Sequence, residues 1–121
     1  MPVIHVRTSG LDPDRPEEIL TGIARSVADA VPCDVDGVWC TFTALDVQTV
    51  GLEVRRAEGR IVYVDVWIRP REGDPGAADR ALSVACAAAS SGFGVPLQDV
   101  WGTLRPVEPH RVFAGGSLLD T

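Results

Sequence analysis

The sequence of 121 residues predicts an α+β fold: two β-α-β repeats form a four-stranded mixed sheet, with two helices on one face and a C-terminal hairpin. Three observations predict it, namely an internal repeat, strict alternation of side chains in two segments, and apolar residues at helical spacing in two others. Because domains typically contain roughly 100 to 150 residues, we expect a single domain over 1–121, with repeats at about 2–60 and 61–121.

The repeat relates the two halves of the chain at nearly constant spacing. Segment 4–7 (IHVR) matches 66–69 (VWIR), and segment 38–42 (VWCTF) matches 100–104 (VWGTL), both 62 residues later. Between them, Val31-Pro32 matches Val95-Pro96 at a spacing of 64. Two strands flanking a helix in each half account for this pattern, and a difference in loop length accounts for the shift.

The predicted strands have two unlike faces. Segments 2–8 and 61–69 alternate, and the second strand of each half begins with Val-Trp after Gly37 and after Asp99. One face is aliphatic and should pack under the helices. The other is mixed and would expose Trp39, Trp67 and Trp101 together, which predicts association through the sheet.

Both helices are predicted from apolar spacing and from residues typical of helix starts. The first should begin near Asp12 to Asp14, with Pro13 or Pro16 early, and extend towards Pro32. The second should have Asp74 as its cap and Pro75 at the first helical position. Its alanine-rich sequence should continue to about Ser91 and allow close approach to the sheet.

Composition excludes several functional classes. The net charge of −6 argues against nucleic acid or an anionic membrane as a partner, because both are bound through excess positive charge. All eleven basic residues are arginine, so an amine catalyst would have to be the chain terminus. The three cysteines form no close pair, and we predict no metal and no cofactor. Without a membrane-length apolar run or a signal-like start, we expect a cytoplasmic protein.

The initial Met-Pro-Val-Ile-His-Val, the two β-α-β halves and the segment 111–116 (RVFAGG) together resemble the tautomerase superfamily. The length is similar to branches with two fused units, such as malonate semialdehyde decarboxylase, cis-3-chloroacrylic acid dehalogenase and 5-carboxymethyl-2-hydroxymuconate isomerase. The resemblance implies a homotrimer and a catalytic Pro2, exposed as the N-terminal residue once Met1 is removed.

The chemistry of Pro2 also follows from the residue itself. An α-amino group ordinarily titrates at about 7.7 to 8.0, and burial lowers that pKa because it disfavours the charged form. A free secondary amine can then remove a proton next to a carbonyl group and return it elsewhere, which is tautomerisation. We therefore expect keto–enol isomerisation of a small carboxylate-bearing 2-oxo acid.

Arg69 and Arg71 are the predicted carboxylate-binding residues. Two positions apart on a strand, both guanidinium groups would face the same way, and Pro70 between them indicates a strand end. The resemblance implies that both bind substrate, with the alternative that they pair with Glu72 and Asp74.

The resemblance also implies three further site residues. Asp36 corresponds to an aspartate beside the proline in the decarboxylase, with Asp34 as the fallback. Glu108 corresponds to the water-activating carboxylate of the dehalogenase, although another register places Pro106 there. Phe113 is a candidate wall of a neighbouring subunit's pocket.

Two alternatives remain open at this point. The same proline would serve a decarboxylase-like or hydratase-like enzyme, whereas dehalogenation is disfavoured because Val31 occupies the position of the dehalogenase's helix histidine. The chain would instead be a non-enzymatic oligomeric binding module if Met1 were retained. Neither His5, His110 nor Arg7 receives a role.

Overall fold

The two halves of the chain fold into the same sequence of elements. A computed structural model describes residues 2–10, 15–56, 58–108 and 110–118. In each half a strand, a helix and a second strand are followed by a short hairpin, which confirms the predicted α+β fold. The first half contains β1 (Val3–Ser9), α1 (Pro16–Ala30), β2 (Trp39–Leu45), β3 (Gln48–Val50) and β4 (Glu53–Arg55). The second contains β5 (Val62–Ile68), α2 (Ala77–Phe93), β6 (Val100–Pro106), β7 (Phe113–Ala114) and β8 (Ser117–Leu118).

The main sheet is mixed, with the strand order β2-β1-β5-β6. β1 is parallel to β2 and β5 is parallel to β6, while the two central strands are antiparallel. The first residues of β1 and β2 therefore lie at the same edge as the last residues of β5 and β6. We call this edge the Pro2 edge, because the chain enters β1 there.

The strand register corrects one part of the predicted repeat. Val3 lies opposite Trp39, and Tyr63 lies opposite Trp101, so β1 and β5 are related by 60 residues whereas the two tryptophans are 62 apart. Helix positions also follow the spacing of 62, since buried Val31 corresponds to buried Phe93. The predicted spacings of 62 for the first strand and 64 for Val31 were therefore wrong. The match between IHVR and VWIR was misleading, because spacings of 60 and 62 are both even and therefore place each side chain on the same face of its strand.

The core lies between the helices and the aliphatic face of the sheet, as predicted. The helices contribute the buried residues Ile19, Ile23, Val27, Ala81, Ala85 and Ala89, and the sheet contributes Ile4, Val6, Val62, Val64, Val66 and Ile68. Burying one such valine or isoleucine stabilises the fold by roughly 1.5 to 3 kcal/mol. At Gly102 a Cβ would lie 2.5 Å from Cys86 Sγ, so the close approach of α2 to β6 requires glycine.

Both helices begin later than the sequence predicted. Asp12 to Asp14 lie outside the described residues, and α1 begins at Pro16, which takes the first helical position. α2 begins at Ala77, after Gly76, and ends at Phe93. Asp74 is not the cap of α2, because Gly76 holds that position. The two carboxylate oxygens of Asp74 accept hydrogen bonds from Arg80 Nη1 and Nη2 at 3.0 and 2.6 Å. None of the described helices is long and apolar enough to cross a membrane.

The other face of the sheet, which we call the open face, carries the mixed side chains. Trp39, Trp67 and Trp101 are 50%, 39% and 63% exposed there. Cations lie on two of the aromatic rings: Arg7 Cζ is 5.2 Å from the centre of Tyr63, and Arg105 Cζ is 5.2 Å from that of Trp67. The predicted exposed tryptophan surface is present.

Each half ends in a hairpin with a two-residue turn. In β7–β8, Ala114 lies opposite Ser117, and the turn residues Gly115 and Gly116 have φ values of 63° and 88°. Glycine adopts consecutive positive φ values without steric cost. The predicted turn at this pair is confirmed. β3–β4 repeats the arrangement in the first half, where Val50 lies opposite Glu53.

Candidate active site

Pro2 is held at the edge of the sheet between two strands. Its carbonyl oxygen accepts a hydrogen bond from the Trp39 N–H at 3.1 Å, and extension of the β1–β5 register places it opposite Ile68. The ladder continues beyond β5, where the Val107 N–H donates to the Ile68 carbonyl at 2.9 Å. The Pro2 ring is fully buried. An amine at this position would therefore sit at the end of a fixed strand, against apolar side chains.

The two predicted arginines follow directly after β5, but not as strand residues. β5 ends at Ile68, so strand alternation does not place Arg69 and Arg71 on a common face, which corrects that prediction. Pro70 explains the ending, because it has no N–H to donate to a ladder. Arg69 is half-buried and Arg71 is exposed.

Arg71 spans the Pro2 edge from β5 to the first half of the chain. Its Nη1 donates to the Pro32 carbonyl at 2.8 Å, and Pro32 belongs to the connection that leads from α1 into β2. Arg71 and Ile68 also line a pocket of about 220 Å³, with Pro70, Asp74 and Pro106. The guanidinium group thus lies beside a cavity whose wall includes the strand neighbour of Pro2.

Asp74 is the acidic residue of that pocket. The hydrogen bonds from Arg80 hold the pKa of this carboxyl below its ordinary value, and the charge of Arg71 adds to the effect. The guanidinium group of Arg71 carries five N–H donors, and the bond to the Pro32 carbonyl uses one of them, so donors remain for an anion in the pocket.

Asp36 also lies at the Pro2 edge, in the short 3₁₀ turn Val35–Gly37 that precedes β2. Asp34 is the turn former, because its Oδ1 accepts the Asp36 N–H at 3.1 Å. The carbonyl of Asp36 accepts from Trp39 Nε1 at 3.3 Å. Within the described parts of the chain, the Asp36 carboxylate itself has no hydrogen bond or ion pair, and it is exposed.

The remaining predicted residues lie beyond β6. Glu108 is exposed and follows the carboxyl end of β6, hence the same sheet edge, and its carbonyl accepts the Arg111 N–H at 3.3 Å. Phe113 begins β7 and is 71% exposed. Five predicted residues from four separate segments therefore meet at one edge, while Phe113 lies on the second hairpin.

Sequence reasoning missed a polar cluster at the centre of the open face. Asp65 accepts hydrogen bonds from Thr103, from Trp67 Nε1 at 3.0 Å and from Arg105 Nε at 3.1 Å. Partial burial raises the pKa of Asp65, but the hydrogen bonds from those three residues and the charge of Arg105 outweigh it, so the pKa is lowered. The signal in the sequence was a carboxylate in mid-strand with Thr103 as its neighbour in register.

Among residues 2–10, 15–56, 58–108 and 110–118, no group of three His, Cys, Asp or Glu side chains is placed to hold a metal ion.

Comparison with known proteins gives a consistent result at the level of structure. No protein-family model matches the sequence, and no curated protein matches it. A fused 4-OT that forms an asymmetric trimer superposes with a TM-score of 0.82 at 16% identity, covering 96% of this chain and 94% of the other. Pt0534 inactivated by 2-oxo-3-pentynoate gives 0.83 at 10% identity, covering 98% and 95%. A member of the cis-3-chloroacrylic acid dehalogenase family gives 0.77 at 17% identity, covering 97% and 82%.

These proteins have diverged too far in sequence for their activities to be transferred, but their folds match over nearly the whole chain. What these structures share with the chain is the duplicated β-α-β architecture with its mixed four-stranded sheet. The chain has the fold of the tautomerase superfamily.

Proposed function

We propose that this protein is an isomerase in which the N-terminal amine of Pro2, freed by removal of Met1, interconverts the keto and enol forms of a small carboxylate-bearing 2-oxo acid. The observation that carries the proposal is the convergence at one sheet edge of a buried proline, at the start of β1, with the arginine segment that follows β5. The fold shared with fused 4-OT supports it.

The reaction requires one base and a cationic partner. The neutral Pro2 amine takes a proton from the carbon next to the 2-oxo group, and the electron pair moves to the carbonyl oxygen to form an enolate. The resulting ammonium then gives the proton to that oxygen, which completes the enol. Arg71, and Arg69 beside it, bind the substrate carboxylate and stabilise the negative charge that develops.

Burial of the ring serves this chemistry. Pro2 is fully buried and lies opposite apolar Ile68 in the strand register, so an ammonium group there would be poorly solvated. We therefore expect the pKa of the Pro2 amine to lie below the ordinary range of about 7.7 to 8.0, which leaves the free base present at neutral pH.

The first experiment determines whether the amine exists and reacts. Intact mass and N-terminal sequencing should show that purified protein begins at Pro2. A halopyruvate should then add one label per subunit at the terminal nitrogen, and Pro2→Ala should lower the rate of phenylpyruvate ketonisation by far more than a few fold. Label on Cys33, Cys40 or Cys86, together with full activity of Pro2→Ala, would contradict the proposal.

Two related activities use the same edge. Asp36 has a carboxylate that the turn does not use, which favours a decarboxylase-like variant acting on a 3-oxo acid, and Glu108 is the candidate for activating water in a hydratase-like one. Assays for carbon dioxide release and for hydration of an alkynoate distinguish these from simple tautomerisation. Asp36→Asn should affect decarboxylation more than phenylpyruvate ketonisation.

We also propose that the protein is a homotrimer associated through the open face. The three exposed tryptophans form a surface of the kind that marks an interface, and the fused 4-OT structures of the same fold are trimers. In that assembly Phe113 is a candidate wall of a neighbouring subunit's pocket. A stable monomer in sedimentation at micromolar concentration would contradict the trimer, and a retained Met1 in a stable oligomer would favour a non-enzymatic binding module.

A further inference from the structure

The second half of the chain contains a pocket in the position that corresponds to the Pro2 edge. It lies at the opposite edge of the sheet, where β5 and β6 begin, and has a volume of about 260 Å³. We call it the second pocket. Its walls are formed by Thr49, Val50, Ile61, Tyr63, Gln98, Asp99, Val100 and Trp101.

The strand register identifies the counterpart of each feature. Val100 and Trp101 correspond to Val38 and Trp39, 62 residues earlier, while Val62 corresponds to Pro2 at the spacing of 60. Val62 is linked by peptide bonds on both sides, so the second pocket has no amine. The same spacing puts Ser9 where the first site has Arg69, and no arginine is among the described residues that line the second pocket. The second pocket therefore keeps the location of the first site without its base or its arginines.

One wall of the second pocket is fixed by a buried side chain. Gln48 is 6% exposed, and its amide pairs with both backbone groups of Ile61: Nε2 donates to the carbonyl at 2.8 Å, and Oε1 accepts the N–H at 2.8 Å. The Thr8 hydroxyl donates to the same carbonyl at 2.9 Å. These contacts fix the backbone of Ile61 at the entrance to β5, which forms one wall of the second pocket.

The lining of the second pocket selects a positive ligand. Among the described residues that line it, Asp99 supplies the only charge, Tyr63 and Trp101 supply aromatic rings, and Thr49 and Gln98 supply hydrogen-bonding groups. Arg7, which stacks on Tyr63, lines the neighbouring cavity on the open face and not this one. A carboxylate beside two rings favours a cation, because both attract positive charge.

We propose that the second pocket is a non-catalytic binding site for a small organic cation with a flat ring, of the arylalkylammonium class. The ammonium group pairs with Asp99, and the ring stacks against Trp101. The proposal does not depend on the isomerase activity. Trp101 also belongs to the surface proposed for the trimer interface, and the second pocket lies where that surface reaches the sheet edge, so binding is tested on the assembled protein.

The test uses the three tryptophan indole N–H resonances of the ¹⁵N-labelled full chain, with Trp101 assigned from Trp101→Phe. Benzylamine, an ammonium ion at pH 7, should shift the Trp101 resonance in a saturable way and leave Trp39 unchanged. Benzyl alcohol should bind about tenfold more weakly, and benzoate should not bind. Asp99→Asn should weaken benzylamine binding about tenfold, whereas the control Asp29→Asn, on the exposed side of α1, should not change it.

Several results would overturn the proposal. They are a shift of Trp39 in place of Trp101, benzoate bound as tightly as benzylamine, no saturable shift at millimolar benzylamine, or unchanged affinity in Asp99→Asn. If Asp99→Asn does not fold, the affinities of benzylamine, benzyl alcohol and benzoate for the unaltered protein test the proposal. Equal affinities for the three ligands would then show that the pocket does not select a positive charge.

Discussion

Replacing Gln48 by leucine should destabilise the fold by about 2 to 3 kcal/mol. The substitution removes two hydrogen bonds to Ile61 and one to Thr8, while leucine keeps most of the side-chain volume. The Ile61 carbonyl keeps the Thr8 hydroxyl as a donor, but the Ile61 N–H loses its partner. An unsatisfied buried donor costs about 1 to 3 kcal/mol and each further lost hydrogen bond about 0.5 to 1.5 kcal/mol. Because Ile61 is half-exposed, we expect the loss of unfolding free energy to lie in the lower part of the combined range.

Urea unfolding followed by circular dichroism, at one fixed protein concentration because association shifts apparent stability, measures the change. The matched control is Gln98→Leu, since Gln98 is exposed, and it should change the free energy of unfolding by less than about 0.5 kcal/mol. Equal effects of the two substitutions, or less than about 1 kcal/mol for Gln48→Leu, would refute the reasoning that the amide pair holds the entrance to β5.

Three other predictions test the site and the electrostatics. Arg69→Ala or Arg71→Ala should weaken inhibition by small dicarboxylates by roughly 10- to 150-fold. This corresponds to about 1.5 to 3 kcal/mol, the contribution of a charge-assisted hydrogen bond. Unchanged inhibition constants in both variants would rule out the carboxylate site. Because the pKa of Asp65 is lowered, its carboxylate stabilises the fold at pH values above the ordinary pKa of 3.8, and this contribution is lost as the pH falls through the folded pKa. Asp65→Asn should therefore flatten the dependence of unfolding free energy on pH between pH 5 and about 2. An unaltered pH profile would contradict this. Burial raises the pKa of Cys40 to about 11, so iodoacetamide at pH 8 should modify exposed Cys33 at least tenfold faster than Cys40. Mass spectrometry measures both rates, and equal rates would contradict the burial of Cys40.

The sheet and its two faces were predictable because strand alternation and the Val-Trp repeat are local patterns. The start of α2 was not, since Asp74 has the residue type of a helix cap but pairs with Arg80, which lies later in the chain. Arg69 and Arg71 were recognised as a pair, yet their arrangement depends on where β5 ends and on the bond from Arg71 to Pro32. The role of Gln48 was not predicted, because no pattern near it in the sequence indicates that its side chain forms hydrogen bonds with the backbone of Ile61.

The candidate site was likewise predictable only in part from the sequence. The residue types at the Pro2 edge follow from the sequence and its resemblance, and their shared location follows from the strand order once β1 and β5 are antiparallel. The choice between Asp34 and Asp36 needed the structure, because only the turn geometry shows that Asp34 is the residue whose carboxylate accepts the backbone N–H.

The equivalence of Val62 with Pro2 makes the chain a candidate for division into two associating fragments. The cut would fall before β5, in the connection that follows the β3–β4 hairpin, so that neither β-α-β unit is interrupted. A second fragment that starts with Met-Pro in place of Ile61-Val62 would acquire its own terminal amine after methionine removal. Reassembled with the first fragment, it would carry two prolines at opposite edges of one sheet. The registers of β1 with β2 and of β5 with β6 specify where the new terminus must be placed.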